Sequence, residues 1–168
     1  MQIPLHNKIN MLVVVMGVAG SGKSTIGALL AEALGCPFLD GDSLHSVASI
    51  EQMRRGVPLT DDERVPWLAA IRNRMTQAFA RGESLVVACS ALRESSRQYL
   101  SNELPVTWVH LDGPEHLVRT RLQGRAGHFF KAELLPSQME ALEAPADAIV
   151  VDIALPPAKV VDDILSQL

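Results

Sequence analysis

Five short runs of apolar, mostly β-branched residues recur along the chain, and each is bounded by Gly, Pro, Asp or Ser. Their length and their bounding turn residues predict buried β-strands. The runs occupy residues 11–16, 37–39, 85–88, 106–111 and 148–151. Because these runs are apolar along most of their length, we expect both faces of the resulting sheet to be covered.

Stretches with helical periodicity separate these runs, at residues 23–34, 94–103, 114–125 and 157–168 and in a two-part region at 43–81. Gly35 and Gly82 stand where helices are expected to end, and Thr60 with Glu63 predicts a capping box. The alternation of strand and helix predicts an α/β fold, a three-layer α/β/α sandwich around a five-stranded parallel sheet. The segment at about 42–82 exceeds what a simple crossover needs, so we expect a helical insertion that covers a substrate.

The composition is that of one ordinary globular domain spanning residues 1–168. The chain is 48% hydrophobic and 20% charged, with a formal net charge of −4. Its Lys and Arg residues form no block, so no nucleic-acid partner is expected. No run is long enough for a signal peptide or a membrane span, and Cys36 and Cys89 lack metal-ligand spacing. We therefore expect a cytoplasmic protein with free thiols and no membrane partner.

A glycine-rich motif follows the first predicted strand and precedes the first predicted helix. Residues 17–24 read Gly-Val-Ala-Gly-Ser-Gly-Lys-Ser, which matches the P-loop pattern in the structural context that the pattern requires. We expect backbone N–H groups to cradle the phosphates of ATP, Lys23 to reach the β- and γ-phosphates, and Ser24 to bind Mg²⁺. The nucleotide-binding residues predicted here are Gly17, Ala19, Gly20, Ser21, Gly22, Lys23, Ser24 and Thr25.

The sequence lacks the motifs of two other classes of P-loop protein. A GTPase switch would need a D-x-x-G loop and an N-K-x-D base reader, and neither is present. A motor ATPase would need an acid at the end of an apolar strand, whereas the third predicted strand runs into Cys89 and Ser90. Asp112 and Asp152 do end strands, so each stays a candidate for that acid beside the simpler role of starting a turn.

Two carboxylates follow the second predicted strand in the sequence Asp40-Gly-Asp42. They are expected at the carboxyl edge of the sheet, where ligands of open α/β folds bind. One can face the Mg²⁺ shell while the other accepts the proton of an acceptor hydroxyl, and Asp40 suits the metal while Asp42 suits the base. Alternatively, Asp42 caps a helix that starts near Ser43 and Asp40 is a turn residue.

Together with the P-loop, four further blocks resemble the gluconokinase family. They read Asp-Gly-Asp-Ser-Leu-His at 40–45, Gly-Val-Pro-Leu-Thr-Asp-Asp-Glu-Arg-Val-Pro-Trp-Leu at 56–68, Cys-Ser-Ala-Leu at 89–92 and Gly-His-Phe-Phe at 127–130. The resemblance implies a P-loop fold of the shikimate-kinase and nucleoside-monophosphate-kinase type. It further implies transfer of the ATP γ-phosphoryl group to the 6-hydroxyl of gluconate, and it suggests a homodimer.

The same resemblance implies the roles given above for Asp40 and Asp42. It also implies that His45, Arg64 and His128 face the sugar acid. The chemistry of the substrate supports Arg64 independently, because the planar fork of a guanidinium matches a carboxylate. The alternative for Arg64 is an ion pair on the helix surface with a neighbouring acid such as Asp61.

Arg121 and Arg125 lie four residues apart on a predicted helix that leads into the block at 127–130, so both can face the nucleotide. This arrangement resembles the lid of the superfamily, at about residues 121–136. Arg125 is expected to neutralise the transferring phosphoryl group and Arg121 to stack on adenine, unless both belong to a solvated helix face. The catalytic residues predicted from all these patterns are Lys23, Asp42 and Arg125.

Two other functions stay open at this stage. Ser49 and Gln52 differ from the residues common at these positions in gluconokinases, so the acceptor could be a related sugar acid or a shikimate-like polyol acid. Outside the enzyme class, the chain could be a non-catalytic sensor of nucleotide or gluconate, although the intact P-loop and acid pair oppose this.

Overall fold

The computed structural model describes residues 10–125 and 131–168, and its centre is a five-stranded parallel sheet. The strands are β1 (Leu12–Met16), β2 (Phe38–Asp40), β3 (Leu85–Ala88), β4 (Val106–Asp112) and β5 (Ala148–Asp152). Their order across the sheet is β2-β3-β1-β4-β5. All five predicted strands are confirmed, and no bound differs from its prediction by more than one residue.

Strand β1 lies in the middle of the sheet, and all five of its residues are buried. Successive side chains of a strand point to opposite faces, so β1 supplies two cores at once. Val13 and Val15 belong to one apolar cluster, and Leu12, Val14 and Met16 belong to the other. Burial on both faces explains why this strand shows no polar alternation.

Seven α-helices surround the sheet in the described ranges. They are α1 (Lys23–Leu34), α2 (Val47–Arg54), α3 (Asp61–Ala80), α4 (Glu94–Ser101), α5 (Glu115–Gln123), α6 (Leu135–Ala141) and α7 (Pro157–Leu165). Buried side chains of α1, α5 and α7 pack on one face of the sheet, and those of α3 and α4 pack on the other. The predicted three-layer α/β/α sandwich is therefore confirmed.

The predicted helix signals hold at three places. Gly35 ends α1 with a φ of 66°, and Gly82 follows α3 with a φ of 70°. At the start of α3, the Thr60 hydroxyl accepts from the Glu63 N–H and the Glu63 carboxylate accepts from the Thr60 N–H. The region at 43–81 divides into α2 and α3 as expected, after a 3₁₀ turn at Gly41–Leu44.

Helix α6 is the element that the sequence patterns missed. It follows a 3₁₀ turn at Ala132–Leu134 inside the segment assigned to the lid. A third apolar cluster, formed by Met53, Leu59 and Leu134, joins this segment to the region of α2 and α3. None of the described helices is both long and apolar enough to cross a membrane.

Candidate active site

The P-loop connects β1 to α1 and has a backbone that only glycine tolerates at two positions. Gly20 has a φ of 80°, and a Cβ there would lie 2.7 Å from Cγ of Leu122. A Cβ on Gly17 would lie 2.7 Å from the Ser21 hydroxyl oxygen and 3.0 Å from the Leu111 carbonyl oxygen. These close approaches fix the loop against β4 and α5 and leave no room for side chains that would fill the cradle.

Helix α1 begins at Lys23, directly after the loop. Its N-cap is Gly22, which offers no side-chain oxygen to the first N–H groups of the helix. Those N–H groups and the positive end of the helix dipole therefore point into the loop, which is the arrangement that binds phosphate in other proteins.

Lys23 is buried within this cradle. Its ammonium group donates a hydrogen bond to the Val18 carbonyl oxygen at 3.0 Å. Burial lowers the pKa of Lys23, and the negative charge of Asp42, the strongest of the opposing influences, raises it. The ammonium group is thus held at the P-loop by a backbone carbonyl and by the field of a nearby carboxylate.

Asp40 and Asp42 have different surroundings. The Ser24 hydroxyl donates to Asp40 Oδ2 at 2.8 Å, and the Asp42 N–H donates to Asp40 Oδ1 at 3.0 Å. Asp40, and not Asp42, therefore caps the 3₁₀ turn that begins at Gly41. The capping role that we considered for Asp42 was wrong, because Asp40 accepts the bond from the first turn and leaves the Asp42 side chain free for the cleft.

A first cleft opens in front of the P-loop between the 3₁₀ turn, α3 and α6, and encloses about 760 Å³, partly open to solvent. Of the predicted residues, the following line it: Ala19, Gly20, Gly22, Lys23, Ser24, Asp42, His45, Arg64 and Arg125. The predicted acceptor-binding and catalytic residues of the described ranges are therefore brought together in one cleft.

A second cleft lies behind the P-loop, between α5 and the loop that precedes α7. It is lined by Gly20, Ser21, Gly22, Thr25, Arg121 and Arg125 among the predicted residues. The Arg121 guanidinium donates to the Ile153 carbonyl oxygen at 2.7 Å, which holds this side chain at the wall of the cleft. Gly20, Gly22 and Arg125 line both clefts, so the two clefts meet at the P-loop.

Some predicted residues lie outside the clefts. Gly17 lines neither, and its role is the close packing described above. His128 lies outside the residues that the structure describes. Asp112 and Asp152 pair side by side at the ends of β4 and β5 and line neither cleft, and Asp152 accepts from the Ala154 N–H in a turn. This arrangement fits the simpler turn role for Asp152.

Trp67 is a buried core residue that also forms a wall of the first cleft. Its indole N–H donates to the Gly41 carbonyl oxygen at 2.7 Å, and its ring stacks on His45 with centroids 4.3 Å apart. Burial lowers the pKa of His45, and the Asp42 carboxylate opposes this effect. Trp67 thus fixes both the turn between the two acids and the neighbouring imidazole.

Arg64 lies in both of the environments predicted for it, the ion pair and the cleft. It pairs with Asp61 at 3.0 Å, as the alternative expected, and it also lines the first cleft. The Arg93 guanidinium lies 3.3 Å from the same Asp61 oxygen. One carboxylate thus faces two guanidinium groups, of which Arg64 lines the first cleft and has the planar fork that matches an anionic carboxylate.

Sequence reasoning missed the contribution of α6. Gln138 and Ser137 on this helix line the first cleft, and Gln138 Oε1 accepts from the Ala19 N–H at 2.7 Å. The apolar residues Leu134 and Leu135 and the proline at position 136, within the first turn, were signals that could have indicated the helix. The glutamine itself carried no motif.

Arg97 supports the loop that follows β3. Its buried guanidinium donates to the carbonyl oxygens of Ala91 at 2.8 Å, Leu92 at 3.0 Å and Glu143 at 2.7 Å. Ala91 has a φ of 42°, which is costly for a residue with a Cβ. Arg97 therefore stabilises a strained loop that presents Ser90 to the first cleft.

Comparison with known proteins agrees with this geometry. The family model of shikimate kinase matches residues 19–168. A gluconokinase from Gluconobacter oxydans is 46% identical over 135 residues, covering 80% of this chain and 76% of that protein. The crystal structure of a gluconokinase from Sinorhizobium meliloti has a TM-score of 0.84 at 43% identity, covering 95% and 92% of the two chains. An unliganded sugar kinase from Janibacter has a TM-score of 0.87 at 41% identity, covering 94% and 93%.

Proposed function

Since the chain belongs to the gluconokinase family, within the shikimate-kinase type of P-loop kinases, we infer that it transfers the γ-phosphoryl group of ATP to gluconate. We further propose that the acceptor is the 6-hydroxyl and that the product is 6-phosphogluconate. A primary hydroxyl at one end of gluconate can approach the P-loop while the carboxylate at the opposite end approaches Arg64, because P-loop residues and Arg64 both line the first cleft.

One observation carries this proposal: the two clefts share Gly20, Gly22 and Arg125. A nucleotide in the second cleft would place its phosphates on the P-loop at this junction, and an acceptor in the first cleft would approach the same point. Phosphoryl transfer needs donor and acceptor in line, and catalysis comes mainly from positioning and charge.

We propose Asp42 as the general base. Both carboxylate oxygens of Asp40 already accept hydrogen bonds from Ser24 and Asp42, whereas the Asp42 side chain lines the first cleft. Asp42 would accept the proton of the acceptor hydroxyl as the oxygen attacks. Lys23 and Arg125 would stabilise the charge that develops on the transferring group.

Ser24 and Asp40 are the residues that would hold Mg²⁺. Their oxygens lie 2.8 Å apart, and both are the hard donors that this ion prefers. A magnesium ion bound with a nucleotide uses only one or two protein oxygens besides phosphates and water, so a larger ligand cluster is not required. When bound, the ion neutralises phosphate charge during transfer.

Arg64 would bind the gluconate carboxylate, and His45 and His128 would bind its hydroxyls. The position of Arg64 and His45 in the lining of the first cleft supports this placement. Ser49 and Gln52, the positions that had left a related acid open, line neither cleft and bond instead to Ser46, Pro58 and Glu63. Their identity therefore gives little reason to prefer another acceptor.

The remaining expectations are proposals of the same kind. Residues 42–82 would form the substrate-binding insertion, and residues 121–136 would form a lid in which Arg121 stacks on adenine. The wall position of Arg121 in the second cleft supports that stacking. A homodimer and a cytoplasmic location are proposed from the resemblance and from the sequence, respectively.

A coupled ADP-release assay tests the function. The acceptor panel contains gluconate, other aldonates, shikimate and nucleoside monophosphates, with water as the blank. Turnover is expected with gluconate well above every other acceptor, and ³¹P NMR of the product should show a phosphomonoester on the terminal carbon. ADP release with gluconate no faster than with water would refute the proposal, and faster turnover of another acid would replace the acceptor.

A further inference from the structure

Gln138 connects the P-loop to the first cleft through a single hydrogen bond. The Ala19 N–H donates to its side-chain oxygen at 2.7 Å, across 119 positions of sequence. A backbone N–H can only donate, so the contacted atom of the amide must be the oxygen and not the nitrogen. The bond therefore fixes which way the whole side-chain amide is turned.

The nitrogen end of this amide is available to a ligand. Within residues 10–125 and 131–168, Gln138 Nε2 has no hydrogen-bond acceptor, although the residue is half-buried and lines the first cleft. An amide nitrogen has two N–H donors, and donors in a partly buried site stabilise a complex strongly when a ligand oxygen satisfies them.

The backbone that carries Gln138 is held from two sides. Leu135, fully buried, packs into the core cluster on the α1 face of the sheet. Leu134, one residue earlier, packs with Met53 and Leu59. The amide is therefore pre-organised before any ligand arrives, which lowers the entropic cost of binding and sharpens selectivity.

We propose that Gln138 is an acceptor-binding residue that donates from Nε2 to the sugar-acid hydroxyl next to the one that is phosphorylated. This rests on the proposed function. Ala19 belongs to the phosphate cradle, so the part of the acceptor beside Gln138 is its reacting end. The carboxylate end is matched by the guanidinium corner at Arg64 and Arg93 instead. A neutral amide donor suits a hydroxyl oxygen, and it would select acceptors by the hydroxyl that they carry there.

The test compares two variants of Gln138 that lose different hydrogen-bonding groups. Gln138→Glu keeps an oxygen for the Ala19 N–H but cannot donate, and Gln138→Met removes both groups at similar size. Gln77→Glu, on the exposed face of α3, makes the same change of charge away from both clefts. For each protein, kcat and KM for gluconate, the dissociation constant for ATP and the thermal midpoint are measured.

We expect both Gln138 variants to lose about 10- to 100-fold in kcat/KM for gluconate, the effect of one lost hydrogen bond in a partly buried site. ATP affinity should stay close to that of the wild type in Gln138→Glu, and Gln77→Glu should match the wild type throughout. If Gln138 only supported the P-loop, Gln138→Glu would behave like the wild type while Gln138→Met would lose ATP affinity, and the proposal would be wrong.

A deoxygluconate series removes the effect of the added charge. The wild type should discriminate against gluconate lacking the 5-hydroxyl by about 10- to 100-fold, and Gln138→Met should lose this discrimination while keeping the discrimination at other positions. Full discrimination at the 5-position in Gln138→Met would overturn the proposal. Because wild-type turnover of gluconate is measured in the same series, failure of the proposed function is visible separately. If Gln138→Met does not fold, Gln138→Glu against the same series decides the question, since it keeps the bond to Ala19.

Discussion

The indole of Trp67 offers a test that joins stability to catalysis. Trp67→Phe keeps an aromatic ring against His45 but removes the donor to the Gly41 carbonyl oxygen, a bond of 2.7 Å in a buried setting. The Gly41 carbonyl also belongs to the 3₁₀ turn at Gly41–Leu44, so loss of the indole donor removes one of its hydrogen bonds, at a cost of about 0.5–1.5 kcal/mol. The smaller ring forfeits apolar burial of about 1 kcal/mol more. We therefore expect the free energy of unfolding to fall by about 1.5–2.5 kcal/mol, out of the roughly 5–15 kcal/mol typical of a domain.

Trp108→Phe is the matched control. Trp108 is half-buried on β4 and packs at the edge of the core cluster that contains Trp67, but its indole N–H has no hydrogen-bond partner within the described ranges. The same atoms are removed without breaking a hydrogen bond, so we expect the free energy of unfolding to fall by about 1 kcal/mol. Urea denaturation followed by circular dichroism measures both variants without relying on the fluorescence of the mutated residue.

The Gly41 carbonyl lies between Asp40 and Asp42, so Trp67→Phe should also loosen the turn that aims both acids. We expect kcat/KM for gluconate to drop about tenfold or more at a temperature where the variant is fully folded, because small displacements of reacting groups are costly. Trp108→Phe should retain wild-type kinetics. Equal losses of stability in the two variants, or unchanged kinetics in Trp67→Phe, would refute the role assigned to this hydrogen bond.

Three further outcomes are expected. Asp42→Asn should lower kcat by about 10²- to 10⁴-fold with little change in ATP affinity, whereas a weaker loss in steady-state assays would exclude a general-base role. Cys89 is buried, and burial raises its pKa to about 12, so a thiol reagent should label it only after unfolding, as peptide mapping can show. Burial lowers the pKa of His110 in the folded protein. As the pH falls through about 6.5, this histidine is therefore protonated in the unfolded state before it is protonated in the folded state, and the free energy of unfolding decreases. His110→Gln should therefore lose less stability between about pH 7.5 and about pH 5.5 than the wild type in urea titrations, and an equal loss would assign the pH dependence to other groups.

The strands and the first helix could be predicted because their signals are local. A wholly apolar run bounded by turn residues is typical of a strand buried on both faces, and β1 is such a strand. Gly35 and the capping box of Thr60 and Glu63 mark helix ends through bonds made within one turn of chain. Helix α6 was missed because it is short and begins within the segment assigned to the lid, and its stability comes from Leu135 packing in a core built mostly by distant residues.

The sequence by itself determined the P-loop, because glycine positions and the Lys-Ser pair that follows them act through backbone geometry and one adjoining helix. It also placed Asp40 and Asp42 at the carboxyl edge of the sheet. Only the tertiary structure decided which of the two acids is engaged by Ser24 and which faces the cleft, that Arg64 shares Asp61 with Arg93, and that Gln138 reaches Ala19. These are contacts between segments far apart in the chain, and their existence depends on how the layers pack and on no pattern within either segment.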